Sequence, residues 1–141
     1  MPVRKVPLVT GEYYHVLNRG NTHQPVFLDK RDYDRFLLNL VYYKAANPPF
    51  KLSRLLQIPI QDRNSIMQKL VHKSETLVDV ISYCLMPNHF HLLLKQNLDE
   101  GISNYLRLII NSYVRYFNTK YQNKGSLLQG VFRAVLVETN D

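Results

Sequence analysis

Two histidines separated by a single residue, His89 and His91, are the side chains of this sequence best suited to chemistry. Successive side chains of a β-strand point to opposite faces, so both imidazoles would share one face, with Phe90 directed into the other layer. Two adjacent imidazoles can bind a divalent cation and leave coordination positions open for a phosphate oxygen. The same spacing also occurs on polar strand faces that do no chemistry, and spacing alone does not separate the two interpretations.

An antiparallel hairpin is predicted to carry this pair. Residues 77–86 are an apolar strand, Pro87-Asn88 is a turn, and residues 89–95 form the second strand. Cys84, the one cysteine, lies inside the apolar strand and is expected to be a small buried side chain in a reducing compartment.

The remaining elements complete one domain that spans residues 1–141. The pattern predicts a strand over residues 12–19, a helix capped by Asp29, and a second long helix capped by Asn97 with Glu100 in a capping box. It also predicts a last strand over residues 126–138, with Gly130 in the middle of the strand. The resulting order is β-α-β-β-α-β, an α+β, ferredoxin-like fold with an antiparallel sheet and the helices on one face. Residues 47–76 are interpreted as a helical insertion.

The composition restricts the class of protein. A chain of 141 residues that is 45% hydrophobic can bury a core, and the formal net charge of +7 favours polyanionic partners. No apolar segment is long enough for a signal sequence or for a membrane span, so we expect a soluble, cytoplasmic protein without a membrane partner.

Three segments carry a resemblance to a known family. They are Tyr83-Cys84-Leu85-Met86-Pro87-Asn88-His89-Phe90-His91-Leu92-Leu93-Leu94, Tyr14-His15-Val16-Leu17-Asn18-Arg19-Gly20, and Asn111-Ser112-Tyr113-Val114-Arg115-Tyr116-Phe117-Asn118 followed by Gly125 and Gln129-Gly130-Val131-Phe132. In this order they resemble the single-tyrosine HUH transposases, and more specifically the REP-associated tyrosine transposase-like and IS200-like transposase domains. The resemblance covers most of the chain outside the insertion.

The resemblance implies an activity. In this family a tyrosine attacks a phosphodiester of single-stranded or hairpin DNA in a metal-dependent transesterification, which leaves a 5′-phosphotyrosine and a free 3′-hydroxyl. His89 and His91 would then be catalytic residues that hold Mg²⁺ or Mn²⁺. A homodimer is one assembly that such relatives adopt.

The sequence departs from the family at the nucleophile. In the family, the tyrosine lies on a helix after the last strand, and a polar residue four positions later can complete the metal site. This sequence reaches Glu138-Thr139-Asn140-Asp141 about where that helix should begin. We therefore expect the nucleophile and the third ligand to lie beyond residue 141, and the chain alone not to cleave DNA. Tyr116 is the in-chain alternative, against a packing role with its hydroxyl in water.

Several residues are candidates for contacts with the DNA, although a solvated basic surface is the competing interpretation for each of them. The other histidines, His15, His23 and His72, are expected to have no catalytic part. The candidate DNA-binding residues are Asn18, Arg19, Arg115, Lys120 and Arg133.

A second class of function stays open. RNA-recognition folds share the β-α-β-β-α-β order, so a non-catalytic nucleic-acid-binding module, such as a domesticated transposase, is the alternative. The Lys/Arg-Gly-Phe-type motif of RNA-recognition modules is absent from this sequence. A metal-dependent phosphoesterase would require more ligands than two histidines.

Overall fold

The computed structural model describes residues 7–73 and 75–138. Its four strands are Tyr13–Arg19 (β1), Val78–Met86 (β2), His89–Gln96 (β3) and Arg133–Leu136 (β4). Its α-helices are Lys30–Tyr42 (α1), Leu52–Leu55 (α2), Ile60–Lys73 (α3) and Gly101–Tyr121 (α4). The strands form one antiparallel sheet in the order β2-β3-β1-β4. This arrangement confirms the predicted ferredoxin-like α+β fold.

The two faces of the sheet differ in what covers them. Val16 of β1 and Phe90, Leu92 and Leu94 of β3 are buried against the helices, where Phe90 contacts Phe36 of α1. The side chains between them in sequence belong to the opposite face and are only half-buried. The alternation of a strand thus gives the sheet a core face and an open face.

A buried carboxylate joins helices α1 and α4. Asp29 and Asp32 form a capping box at the start of α1, and the side chain of Asp32 is fully buried. Asp32 accepts hydrogen bonds from the hydroxyls of Tyr116 (2.8 Å) and Tyr121 (2.5 Å) and from Lys120 Nζ (2.9 Å), all three on α4. Because a buried charge needs such partners, these contacts fix how α1 and α4 pack.

The predicted start of the second long helix was wrong. The helix begins at Gly101, and the Asn97 side chain donates to Thr76 Oγ1 (2.8 Å) instead of capping it. The carboxamide oxygen of Gln96 accepts from the Ile102 amide (3.1 Å). A Cβ at position 101 would lie 2.3 Å from the carbonyl oxygen of Leu77, so this close approach requires glycine.

The insertion and the last strand differ in detail from the predicted elements. The insertion contains α2 and α3, and its base is closed by a bridge between Ala45 and Thr76. The last strand is shorter than predicted, because residues 126–132 follow an irregular path beside the end of β1 and leave Gly130 outside the strand. Residues 139–141, at the expected start of the tyrosine helix, lie outside the described residues. Within the described part, no helix is long and apolar enough to cross a membrane.

The ionisation of Asp32 depends on this helix contact. Burial alone would raise the pKa of Asp32, but hydrogen bonds from Tyr121, the Leu28 amide, Lys120 and Tyr116 lower it from 3.8 to about 2. Since the pKa is lower in the folded protein than in the unfolded chain, the ionised carboxylate stabilises the fold. This contribution is present above about pH 4 and is lost as the pH falls toward 2.

We predict that Asp32→Asn lowers the free energy of unfolding at pH 7 by about 2–3 kcal/mol, because a pKa difference of nearly two units is worth about that much. The variant should also lose less stability than the wild type between pH 5 and pH 2. Urea unfolding across this pH range measures both effects. Asp34→Asn is the matched control, since Asp34 is exposed and forms an exposed ion pair with Lys30. Equal stability of the two variants would contradict the role given to Asp32.

Candidate active site

One row of paired residues crosses all four strands on the open face. Leu17 of β1 pairs with His91 of β3. On its other side Leu17 pairs with Arg133 of β4, and His91 pairs with Cys84 of β2. The row therefore runs Cys84, His91, Leu17, Arg133 from β2 to β4. It places one predicted metal ligand and one predicted DNA-binding residue on the same surface, two strands apart.

The neighbouring row brings in the second predicted ligand. His89 pairs with Arg19 of β1 on one side and with Met86 of β2 on the other. The rings of His89 and His91 have centroids 5.0 Å apart and stand nearly perpendicular to each other. The predicted adjacency of the two imidazoles on one face is thus what the structure shows.

A third imidazole, which sequence reasoning set aside, belongs to this group. His15 Nε2 lies 2.9 Å from His91 Nδ1, within hydrogen-bond distance, and the two rings are stacked with centroids 5.0 Å apart. His15 pairs directly with Leu93, so it is the diagonal neighbour of His91 across β1 and β3. The sequence did contain one indication of this contact: His15 and Leu17 are two residues apart in β1, so their side chains point to the same face of the sheet. Using it requires the strand register, which a single sequence does not give.

The hydrogen-bond partner of His89 determines which of its ring nitrogens is free. His89 Nδ1 lies 2.7 Å from the carboxamide oxygen of Asn88, an atom that can only accept. In the neutral ring Nδ1 then carries the hydrogen that this contact requires, which leaves Nε2 with an open lone pair. Neutral imidazole in this tautomer is a metal-binding form.

The environment of His91 also favours the neutral ring. Burial and the nearby imidazoles of His15 and His89 lower the pKa of His91 below its ordinary value of 6.5. At neutral pH the ring is then uncharged and able to bind a cation.

The donor set fits a divalent ion held by two nitrogen ligands, with its further ligands supplied from elsewhere. In the described part of the chain, no three His, Cys, Asp or Glu side chains are grouped so that they could hold a metal ion. This agrees with the contact of His15, whose Nε2 faces Nδ1 of His91 and so lies behind that ring. His15 is placed as a neighbour of the predicted ligand His91 rather than as a third ligand.

The five predicted DNA-binding residues do not lie on one common surface of the structure. Arg19 and Arg133 are exposed on or beside the histidine rows, and Arg115 is exposed on α4, on the helix side of the sheet. The side chain of Asn18 is buried on the core face, where its oxygen accepts from the Arg19 amide, so it does not face a ligand. Lys120 binds the carboxylates of Asp29 and Asp32.

Tyr116 does not share the histidine face. It lies in the helix layer, where its hydroxyl donates to Asp32, and burial together with this carboxylate raises its pKa to about 12. A nucleophilic tyrosine needs the opposite influence, one that favours the phenolate. The structure therefore supports the packing interpretation of Tyr116.

The environment of Cys84 was predicted wrongly. Its side chain is exposed rather than buried, because it projects from the open face opposite His91. An apolar run in β2 suggested burial on both faces, but the helices cover only one.

Comparisons with solved structures agree with this fold. A REP-associated tyrosine transposase bound to a REP hairpin superposes with a TM-score of 0.52 at 11% identity, over 99% of this chain. This chain spans 64% of the length of that protein. A candidate transposase from Deinococcus radiodurans R1 gives a TM-score of 0.55 at 12% identity, over 97% of this chain and 87% of that one. At such identities the likeness shows the shared fold.

Comparisons of sequence identify the family. No curated protein matches the chain. The family described as transposase IS200-like matches residues 9–135, which include all four strands except the last residue of β4, as well as all four of the described α-helices. The chain belongs to the IS200-like transposase family.

Proposed function

We propose that this protein takes part in metal-dependent cleavage and joining of single-stranded DNA next to a hairpin, with His89 and His91 as the ligands of Mg²⁺ or Mn²⁺. The observation that carries the proposal is the pair of adjacent imidazoles on the open face, with Nδ1 of each ring in a hydrogen bond. A bound divalent ion would supply polarisation of the phosphate and stabilisation of its developing charge.

The chain's own residues then have distinct tasks at the scissile phosphate. With Nδ1 of each ring as the hydrogen-bond donor, Nε2 of His89 and Nε2 of His91 would be the atoms that hold the cation. Arg19 and Arg133 lie in the two histidine rows, both on the β1 and β4 side of the imidazoles, and bind DNA phosphates there. That a relative of the same fold is bound to a REP hairpin supports a hairpin as the substrate.

The nucleophile in this proposal is a tyrosine that is not among residues 1–141, supplied by a longer form of this polypeptide or by a second copy of that form. Its phenolic oxygen forms a bond to phosphorus while the bond from phosphorus to the 3′ oxygen breaks. The proton lost by the phenol ends on the 3′ oxygen, so the products are a 5′-phosphotyrosine and a 3′-hydroxyl. Tyr116 is unsuited to this step because it is bound to Asp32.

His15 is a positioning residue in this site. If His91 Nδ1 donates its hydrogen to His15 Nε2, then His91 is held in the same tautomer as His89, with Nε2 free. A metal-ligating histidine usually donates its second ring N–H in this way, and loss of such a partner typically costs about 10–100-fold in metal affinity. Asn88 and His15 would thus orient the two ligands from opposite sides.

The first prediction concerns cleavage. A labelled hairpin DNA with a single-stranded flank, incubated with Mn²⁺ or Mg²⁺ and a form of the polypeptide that includes the proposed tyrosine beyond residue 141, should give a covalent protein–DNA adduct on a denaturing gel. His89→Ala/His91→Ala should abolish the adduct, whereas His72→Ala on the exposed surface of α3 should not. Hairpin binding by the wild type without any adduct would instead favour the non-catalytic binding module.

The second prediction concerns metal affinity, measured by Mn²⁺ titration with electron paramagnetic resonance. His15→Phe should weaken Mn²⁺ binding by about 10–100-fold, because His91 loses its acceptor. His15→Gln should keep most of the affinity, since its amide oxygen can accept the same hydrogen bond. Equal Mn²⁺ affinities of the wild type and His15→Phe would contradict the positioning role given to His15.

A further inference from the structure

A second concentration of positive charge lies on the helix side of the sheet, away from the histidines. A groove of about 770 Å³ runs between α4, the C-terminal part of α1, and the beginning of the insertion. We call it the helix-face groove. Five cationic residues line it, and no aspartate or glutamate is found among the described residues of its lining: Arg35, Lys51, Arg107, Arg115 and Lys120.

Within residues 7–73 and 75–138, four of these five cations have no carboxylate as an ion-pair partner. Lys120 is bound to Asp29 and Asp32, but across the described residues none of the other four forms an ion pair with a carboxylate. Arg35 is half-buried with its guanidinium over the ring of Tyr116, 5.1 Å from the centroid, and its Nε is buried without a hydrogen-bond partner. Like charges gathered in one groove repel one another, so an anion bound there is stabilised.

The positions of the charges indicate an extended anion. Arg107 and Arg115 are both exposed on α4 and are eight residues apart, which is about 12 Å along a helix. One strand of DNA carries a phosphate about every 3.4 Å along the axis of a duplex, so this spacing spans three to four nucleotides. Lys51 extends the charge onto the insertion. Hydroxyl and amide groups of Ser53, Asn111 and Thr119 also line the groove and can donate to phosphate oxygens.

We infer that the helix-face groove binds the phosphodiester backbone of the DNA substrate, at a segment other than the one cleaved. The inference rests on the proposed function for the identity of the polyanion, but not for cleavage. The substrate is then held at two places on opposite sides of the sheet. The insertion is not part of the histidine site, but its first residues form one wall of the helix-face groove.

The test is DNA binding without divalent metal, measured by fluorescence anisotropy on a hairpin with a single-stranded flank over a series of NaCl concentrations. The variant is Arg107→Gln/Arg115→Gln, whose two side chains are exposed. The control is Arg31→Gln/Lys69→Gln, which removes the same charge from exposed positions outside the groove. Circular dichroism confirms that both remain folded.

Two lost phosphate contacts should reduce the slope of log affinity against log salt by about 1.8, which corresponds to about 30-fold weaker binding at 0.15 M salt. The control should stay within about threefold of the wild type, since long-range charge alone is screened at this salt concentration. Equal slopes and affinities for variant and control would overturn the inference. So would a groove-dependent loss seen only with an RNA hairpin of the same sequence.

The outcomes also separate this inference from the proposed cleavage. Groove-dependent hairpin binding without any covalent adduct would support the groove and contradict the proposed activity. A second outcome is that the adduct requires His89 and His91, while Arg107→Gln/Arg115→Gln forms the adduct and binds the hairpin with wild-type affinity. This outcome would overturn the inference about the groove and leave the proposed cleavage intact. Absence of DNA binding by the wild type would overturn both.

Discussion

The antiparallel register between β1 and β3 is the constraint on which the candidate site depends. It places Leu17 opposite His91 and brings His15 within 2.9 Å of that ring on the diagonal. A shift of one residue would move β1's core side chains to the open face and remove His15 from His91. The cost of exposing Val16, which is completely buried, is what maintains the register.

The two faces of the sheet therefore do different work. The core face packs against α1 and α4, whose contact is organised by the buried carboxylate of Asp32. The open face carries the histidines together with Arg19 and Arg133. In our account the helix layer is not only a support, because its outer surface carries the uncompensated charges of the helix-face groove. The protein then presents cations to DNA on both sides of the sheet.

The sequence predicted features that depend on local pattern. The order of elements followed from hydrophobic periodicity, and the common face of His89 and His91 followed from strand alternation. Features that depend on contacts distant in sequence were missed. The proximity of His15 to His91 requires the register of two strands 76 positions apart. The start of α4 at Gly101 requires the approach of Leu77, and the exposure of Cys84 requires knowledge of which sheet face the helices cover.

The assignment of His89 and His91 as a pair of metal ligands held in one tautomer is the central claim. The most direct measurement is a crystal structure of the protein grown with Mn²⁺, with anomalous diffraction recorded at the manganese edge. We expect one strong anomalous peak bonded to Nε2 of both histidines, with His91 Nδ1 still in contact with His15. A peak bonded to Nδ1, a peak with His15 as a direct ligand in place of either histidine, or no peak on the open face at saturating Mn²⁺ would contradict the account.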